Sequence, residues 1–166
     1  PLEVGRPPIW LGALGPRMTA LALAEADGLL IHPFTTDRHT EETTFPRIEA
    51  GLDHAGRDRS DVTLVGQAIL ACGRDAEEQR TADEGARWLV GFYGSTPAYE
   101  PVLATEGRRE LHRDLRALSR GGRGDEVAAL VDDGPLGGAI TIGLPAIKAP
   151  TRWRRCGIHS SPGIIE

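Results

Sequence analysis

The sequence predicts an α/β fold with a parallel sheet, and three observations carry that reading. The apolar runs are short and continuous, as in strands buried on both faces, rather than alternating as in hairpins. Segments with helical spacing of apolar residues separate those runs. The 21 Gly and 12 Pro punctuate the chain into many short elements. Right-handed crossovers then leave two architectures, a doubly wound sheet or part of a (β/α)8 TIM-type barrel. About four βα units are legible, about half of a barrel of roughly 250 residues.

Pro8-Ile9-Trp10-Leu11 reads as the first strand, bounded by Gly12. Gly15 and Pro16 follow as helix cap and first helical residue, where proline's missing N–H costs nothing. Met18, Leu21, Ala22 and Glu25 keep helical spacing until Asp27-Gly28 closes the helix, and Leu29-Leu30-Ile31 is the second strand. A helix is expected over 38–55, with Phe45, Ile48, Leu52 and Ala55 on one face and a late start or a bend at Pro46. The run 62–70 reads as one third strand. Asp75 caps a long helix aligned by Ala82, Ala86, Leu89 and Tyr93. That helix is expected to end near Gly94, where Ser95-Thr96-Pro97 restarts the chain and two tyrosines and a phenylalanine crowd one corner. Further helices are expected over 97–105, 108–119 and 124–132, and a fourth strand over 139–143. Residues 145–166 lack helical periodicity and carry three arginines around Trp153. An irregular tail is expected there, from a shifted reading frame or a truncated gene.

The 166 residues suffice for one domain with a real core, at 40% hydrophobic and 26% charged. A net charge of -5 without a concentrated basic face argues against nucleic acid. No apolar run approaches the roughly 20 residues of a membrane span. Cys72 and Cys156 form no metal-type spacing, so neither a metal site nor a disulfide framework is expected, and a reducing cytoplasm is the expected location. Cys72 reads as a packing residue. His39, His54, His112 and His159 read as scattered surface residues, and Asp132-Asp133 as the polar end of a helix.

Two places bear chemistry. Leu11-Gly12-Ala13-Leu14-Gly15-Pro16 joins a strand end, a glycine turn and a helix start, where free N–H groups and the helix dipole suit a phosphate. The bland alternative is a tight βα turn. His32-Pro33-Phe34-Thr35-Thr36 ends the second strand, and ligands of parallel sheets sit at the carboxyl ends of strands. Its alternative is a polar loop in which Thr35 or Thr36 caps the following helix.

Three stretches resemble the luciferase-like superfamily, in particular its members that use the 5-deazaflavin coenzyme F-420. They are Pro7-Pro8-Ile9-Trp10-Leu11-Gly12-Ala13-Leu14-Gly15-Pro16-Arg17-Met18, Ala26-Asp27-Gly28-Leu29-Leu30-Ile31-His32-Pro33-Phe34, and the segment 91–103 containing Tyr93-Gly94-Ser95-Thr96-Pro97-Ala98-Tyr99. The resemblance implies a partial (β/α)8 barrel, with residues 1–144 as its C-terminal half. It implies an oxidoreductase that transfers hydride between reduced coenzyme F-420 and an organic small-molecule substrate. Ala13, Leu14, Gly15 and Pro16 would line the cofactor's phosphate end, with His32, Thr35 and Thr36 beside them. Family members often place a lysine near the threonines, and none stands there in this chain. Half a barrel leaves the cofactor ring open to water, so weak or no catalysis is expected of the isolated chain. An FMN-dependent monooxygenase of the same superfamily is one alternative. A non-catalytic half-barrel that pairs into a homodimer is another.

Overall fold

The computed structural model describes residues 5–131 and 140–142. Strands β1 (Trp10–Ala13), β2 (Gly28–Ile31) and β3 (Thr63–Gly66) form one parallel sheet in that order. The register sets Trp10 beside Gly28 and Leu29 beside Leu64. A Cβ on Gly28 would lie 2.7 Å from the Trp10 ring, so this position requires glycine. Strands β4 (Ile69–Ala71) and β5 (Ile140–Ile142) pair in parallel in a second sheet. Among the described strands, order in space follows order in sequence, without the mid-sheet reversal of a doubly wound protein.

The single strand expected over 62–70 is two strands. Gln67 and Ala68 are exposed and leave the ladder. The break lets the first half pair with β2 while the second half pairs with β5, which one straight strand could not do. Helix α1 (Pro16–Glu25) joins β1 to β2 with Gly15 as its cap and Pro16 as its first residue, as expected. Between β2 and β3 the chain runs helically through α2 (Asp37–His39), a wide π turn (Thr40–Thr44) and α3 (Phe45–Ala55). The bend expected at Pro46 is that turn: the Phe45 N–H donates to the Thr40 carbonyl five residues back, which accommodates a following residue with no N–H.

Helix α4 (Ala76–Ser95) begins on Asp75, whose carboxylate accepts from the Glu77 and Glu78 N–H groups. A 3-10 turn (Pro97–Tyr99), α5 (Glu100–Thr105) and α6 (Arg109–Arg120) follow. The helix expected over 124–132 is only a 3-10 turn (Glu126–Leu130). Asp125 holds the cap position but makes no side-chain cap bond, and Val131 is already extended. The residues 132–139 and 143–166 lie outside the described part, and with them Asp132-Asp133, Cys156, His159 and the expected tail.

Two apolar cores result. One gathers Leu23, Leu29, Ile48, Leu52, Val62 and Leu64 between the three-stranded sheet and helices α1 and α3. The other gathers Phe34, Ile69, Val90, Leu103, Leu115 and Val127 under helices α4 to α6. Glycines let the helices of the second core meet. Added Cβ atoms would come within 2.9 Å of Val127 at Gly91 and 2.8 Å of Leu115 at Gly94. The glycines that look like interruptions of α4 are points of close approach inside it.

Candidate functional site

The carboxyl ends of β1 and β2 open on one small hollow of about 20 Å³, room for roughly one water molecule. It is bordered by Ala13, Leu14, His32, Thr35, His39 and Arg47. Four of the seven residues expected at the site, Ala13, Leu14, His32 and Thr35, therefore meet there. Gly15 and Pro16 stand next to it as the start of α1, where Gly15 faces open space and no acidic residue occupies the first turn. The Gly15 carbonyl is taken by the N–H and hydroxyl of Thr19, both at 3.0 Å.

Thr36 is buried and its hydroxyl is committed. It accepts from the His39 N–H at 3.1 Å, capping α2, and donates to a Glu106 carboxylate oxygen at 2.6 Å. The capping alternative therefore holds for Thr36. The Thr35 hydroxyl lies 3.1 Å from that of Thr40 and borders the hollow.

Arg47 was not singled out in the sequence. From α3 its guanidinium donates to the Leu14 carbonyl at 2.8 Å, tying the Gly-Pro turn to the neighbouring helix. Among the described residues it forms no ion pair with a carboxylate. Its one sequence signal is a cation directly after the expected bend at Pro46.

His39 and His112, expected at the surface, are both buried. Thr105 donates its hydroxyl proton to the Pro101 carbonyl, so its oxygen accepts from Nδ1–H of His39 at 3.0 Å. Burial, with Arg47 nearby, pushes the His39 pKa down; Glu106 and Glu42 oppose this. His112 donates from Nδ1 to the Gly94 carbonyl at 2.7 Å, closing the C-terminal end of α4. A carbonyl left over at a helix end attracts such a donor, but which histidine reaches it depends on helix packing. His54 is exposed, as expected. Cys72 is exposed rather than packed, because its strand ends at Ala71.

The aromatic corner forms, with a change of membership. Tyr93 meets His32 edge-on at 4.7 Å, and Tyr99 lies tilted on the same imidazole at 4.7 Å. Phe34 packs against both tyrosines. Phe92 instead stacks on Trp88 at the surface, 5.5 Å away, while it still lies tilted 5.7 Å from Tyr93.

Comparison with known proteins agrees with this architecture. The model of a family described as luciferase-like monooxygenase matches residues 1–147. An uncharacterized protein of Mycobacterium tuberculosis is 36% identical over 150 residues, covering 90% of this chain and 44% of the relative. A 5,10-methylenetetrahydromethanopterin reductase of Archaeoglobus fulgidus is 36% identical over 108 residues, 64% of this chain and 30% of that one. The solved structure of a coenzyme F-420-dependent tetrahydromethanopterin reductase from Methanopyrus kandleri superposes with a TM-score of 0.60 at 24% identity. It covers 78% of this chain and 36% of its own, and shows the fold. The chain thus spans less than half the length of the curated relatives it matches. Among the described residues, no helix is long and apolar enough to cross a membrane, and no group of three or more His, Cys, Asp or Glu could hold a metal ion.

Proposed function

Because the chain belongs to the luciferase-like monooxygenase family, we propose that it serves an oxidoreductase using the 5-deazaflavin coenzyme F-420, whose phosphate end it holds at the carboxyl ends of β1 and β2. The described strands are, in this reading, successive βα units of a (β/α)8 barrel. One observation carries it: Arg47 brings an ion-pair-free guanidinium to the Gly-Pro turn, beside Thr35 and the opening turn of α1. The donor set fits a phosphate. Guanidinium N–H groups, a hydroxyl and the free amides of Arg17 and Met18 are all donors, and the helix dipole adds a positive end. Arg47 also supplies the cation that the absent lysine would otherwise bring. A hollow of about 20 Å³ is too small for a phosphate, so in this reading the anion would sit at its mouth.

The bound deazaflavin would supply the hydride chemistry. Leu14, Gly15 and Pro16 would shape the turn under the phosphate, and Thr35 and Arg47 would hold it. His32 would border the way toward the ring. The solved structure is named as coenzyme F-420-dependent, which supports the deazaflavin, and the archaeal relative is named a reductase, which supports the oxidoreductase. The family's description as monooxygenases supports FMN as a second reading. In either case the substrate is a small organic molecule.

Titration with coenzyme F-420 and with FMN, followed by tryptophan emission and melting temperature, tests this. Binding of F-420 in preference to FMN is expected. R47M should weaken it by about 10-fold to 100-fold, the usual worth of a charge-assisted hydrogen bond. Silence of both readouts with both ligands would overturn the reading.

A further inference from the structure

We propose that Tyr99 is a ligand-contacting hydrogen-bond donor of this site, aimed by His32 at an oxygen of the bound molecule. The inference begins with a tautomer. The Phe34 N–H donates to Nδ1 of His32 at 3.1 Å, so that nitrogen carries no proton. The neutral imidazole must then carry its proton on Nε2, which lies 3.0 Å from the Tyr99 hydroxyl. In that bond the phenol is the acceptor. Its own hydrogen remains to be donated, and among the described residues nothing accepts it.

The surroundings hold this arrangement in place. The Tyr93 ring stands edge-on against the imidazole and the Tyr99 ring lies along it, so His32 cannot turn over without displacing both. Protonating Nδ1 would break the Phe34 bond, and burial already pushes the His32 pKa down, favouring the neutral ring. Burial and the neighbouring Tyr93 push the Tyr99 phenol up, so it keeps its proton. His32 borders the hollow at the end of β2, and the Tyr99 hydroxyl lies 3.0 Å from its Nε2. A neutral donor beside His32 suits a carbonyl or phosphoryl oxygen.

The proposal shares with the flavin reading only that a ligand reaches the carboxyl end of β2. The test is parallel titration of wild type and Y99F with coenzyme F-420, FMN and inorganic phosphate, alongside 15N NMR of the His32 ring. Y99F keeps the ring packing and loses only the hydroxyl. Its Kd for the molecule that wild type binds should rise about fivefold to tenfold, the worth of one neutral hydrogen bond. In both proteins His32 should be a single Nε2–H tautomer, since the Phe34 amide donates to Nδ1 with or without the phenol; an Nδ1–H ring in wild type overturns the proposal. An unchanged Kd overturns Tyr99 as donor and leaves the flavin reading intact. Phosphate binding without flavin binding, weakened by Y99F, overturns the flavin reading and supports Tyr99. Failure of wild type to bind any of the three overturns both. Should Y99F not fold, H32Q, which keeps a donor near the Nε2 position, should bind more tightly than H32L; equal affinities overturn the proposal.

Discussion

The two halves of the molecule are built on different logic. Around β1 to β3, each element follows the last in a βαβ path, and the core between sheet and helices is filled by residues at expected spacing such as Ile48 and Leu52. Around α4 to α6, helices cross one another directly, and their contact depends on what is missing: side chains at Gly91 and Gly94. The first region offers the Gly-Pro turn of the proposed phosphate site, and the second supplies the tyrosines that pack on His32. Phe34 joins them, since it leaves β2 in the first region and buries its ring in the core of the second. The comparison teaches that a βα unit can place a turn, while the chemistry of its rim depends on a distant helix pair.

Leu115→Ala should test that dependence most severely. Leu115 is fully buried, and its loss should cost about 2–5 kcal/mol in denaturant unfolding. Leu23→Ala in the first core should cost a similar amount. Only the Leu115 variant should speed hydrogen exchange at the Phe34 amide, because Phe34 and Leu115 share a core. Equal protection in both variants would mean that the two regions open as one.

Two glycines of one helix sharpen the contrast. Gly91→Ala would set a methyl 2.9 Å from the Val127 carbonyl oxygen and should destabilise by about 1–3 kcal/mol. Gly85→Ala, in the same helix with nothing within 4 Å, should stabilise by about 0.5–1 kcal/mol. Thermal melts of the pair check the sign of each.

The smallest expected effect is with pH. His39 has a folded pKa below its ordinary value of 6.5, so the unfolded chain binds the proton more readily. Its contribution is present above about pH 6.5 and is lost as pH falls through that value toward the folded pKa. The melting temperature should decline over that window, and H39Q should flatten the slope. An unchanged slope in H39Q would detach His39 from it.

Much of the fold was legible because its signals are local. Gly15-Pro16 starts α1, Asp75 starts α4, and continuous apolar runs mark parallel strands, each by chemistry within a few residues. The third strand misled because nothing local distinguishes a straight run from one that changes partners at Gln67-Ala68. The histidines misled for the same reason. His39 and His112 are polar residues at unremarkable spacing, and they are buried because Thr105 and the Gly94 carbonyl arrive from elsewhere in the chain. Arg47 shows no motif, and its role depends on reaching the Leu14 carbonyl 33 residues away.

By itself, then, the sequence determined the parallel α/β class, the family, and the two turns at which a ligand would be sought, since backbone conformation answers to neighbouring residues. The tertiary structure alone decided which side chains face those turns: a cation from α3, and a tyrosine whose free hydrogen depends on a tautomer set by the Phe34 amide. Hydrogen-bond direction and burial belong to pairs of residues far apart in the chain, so only their meeting in space settles them.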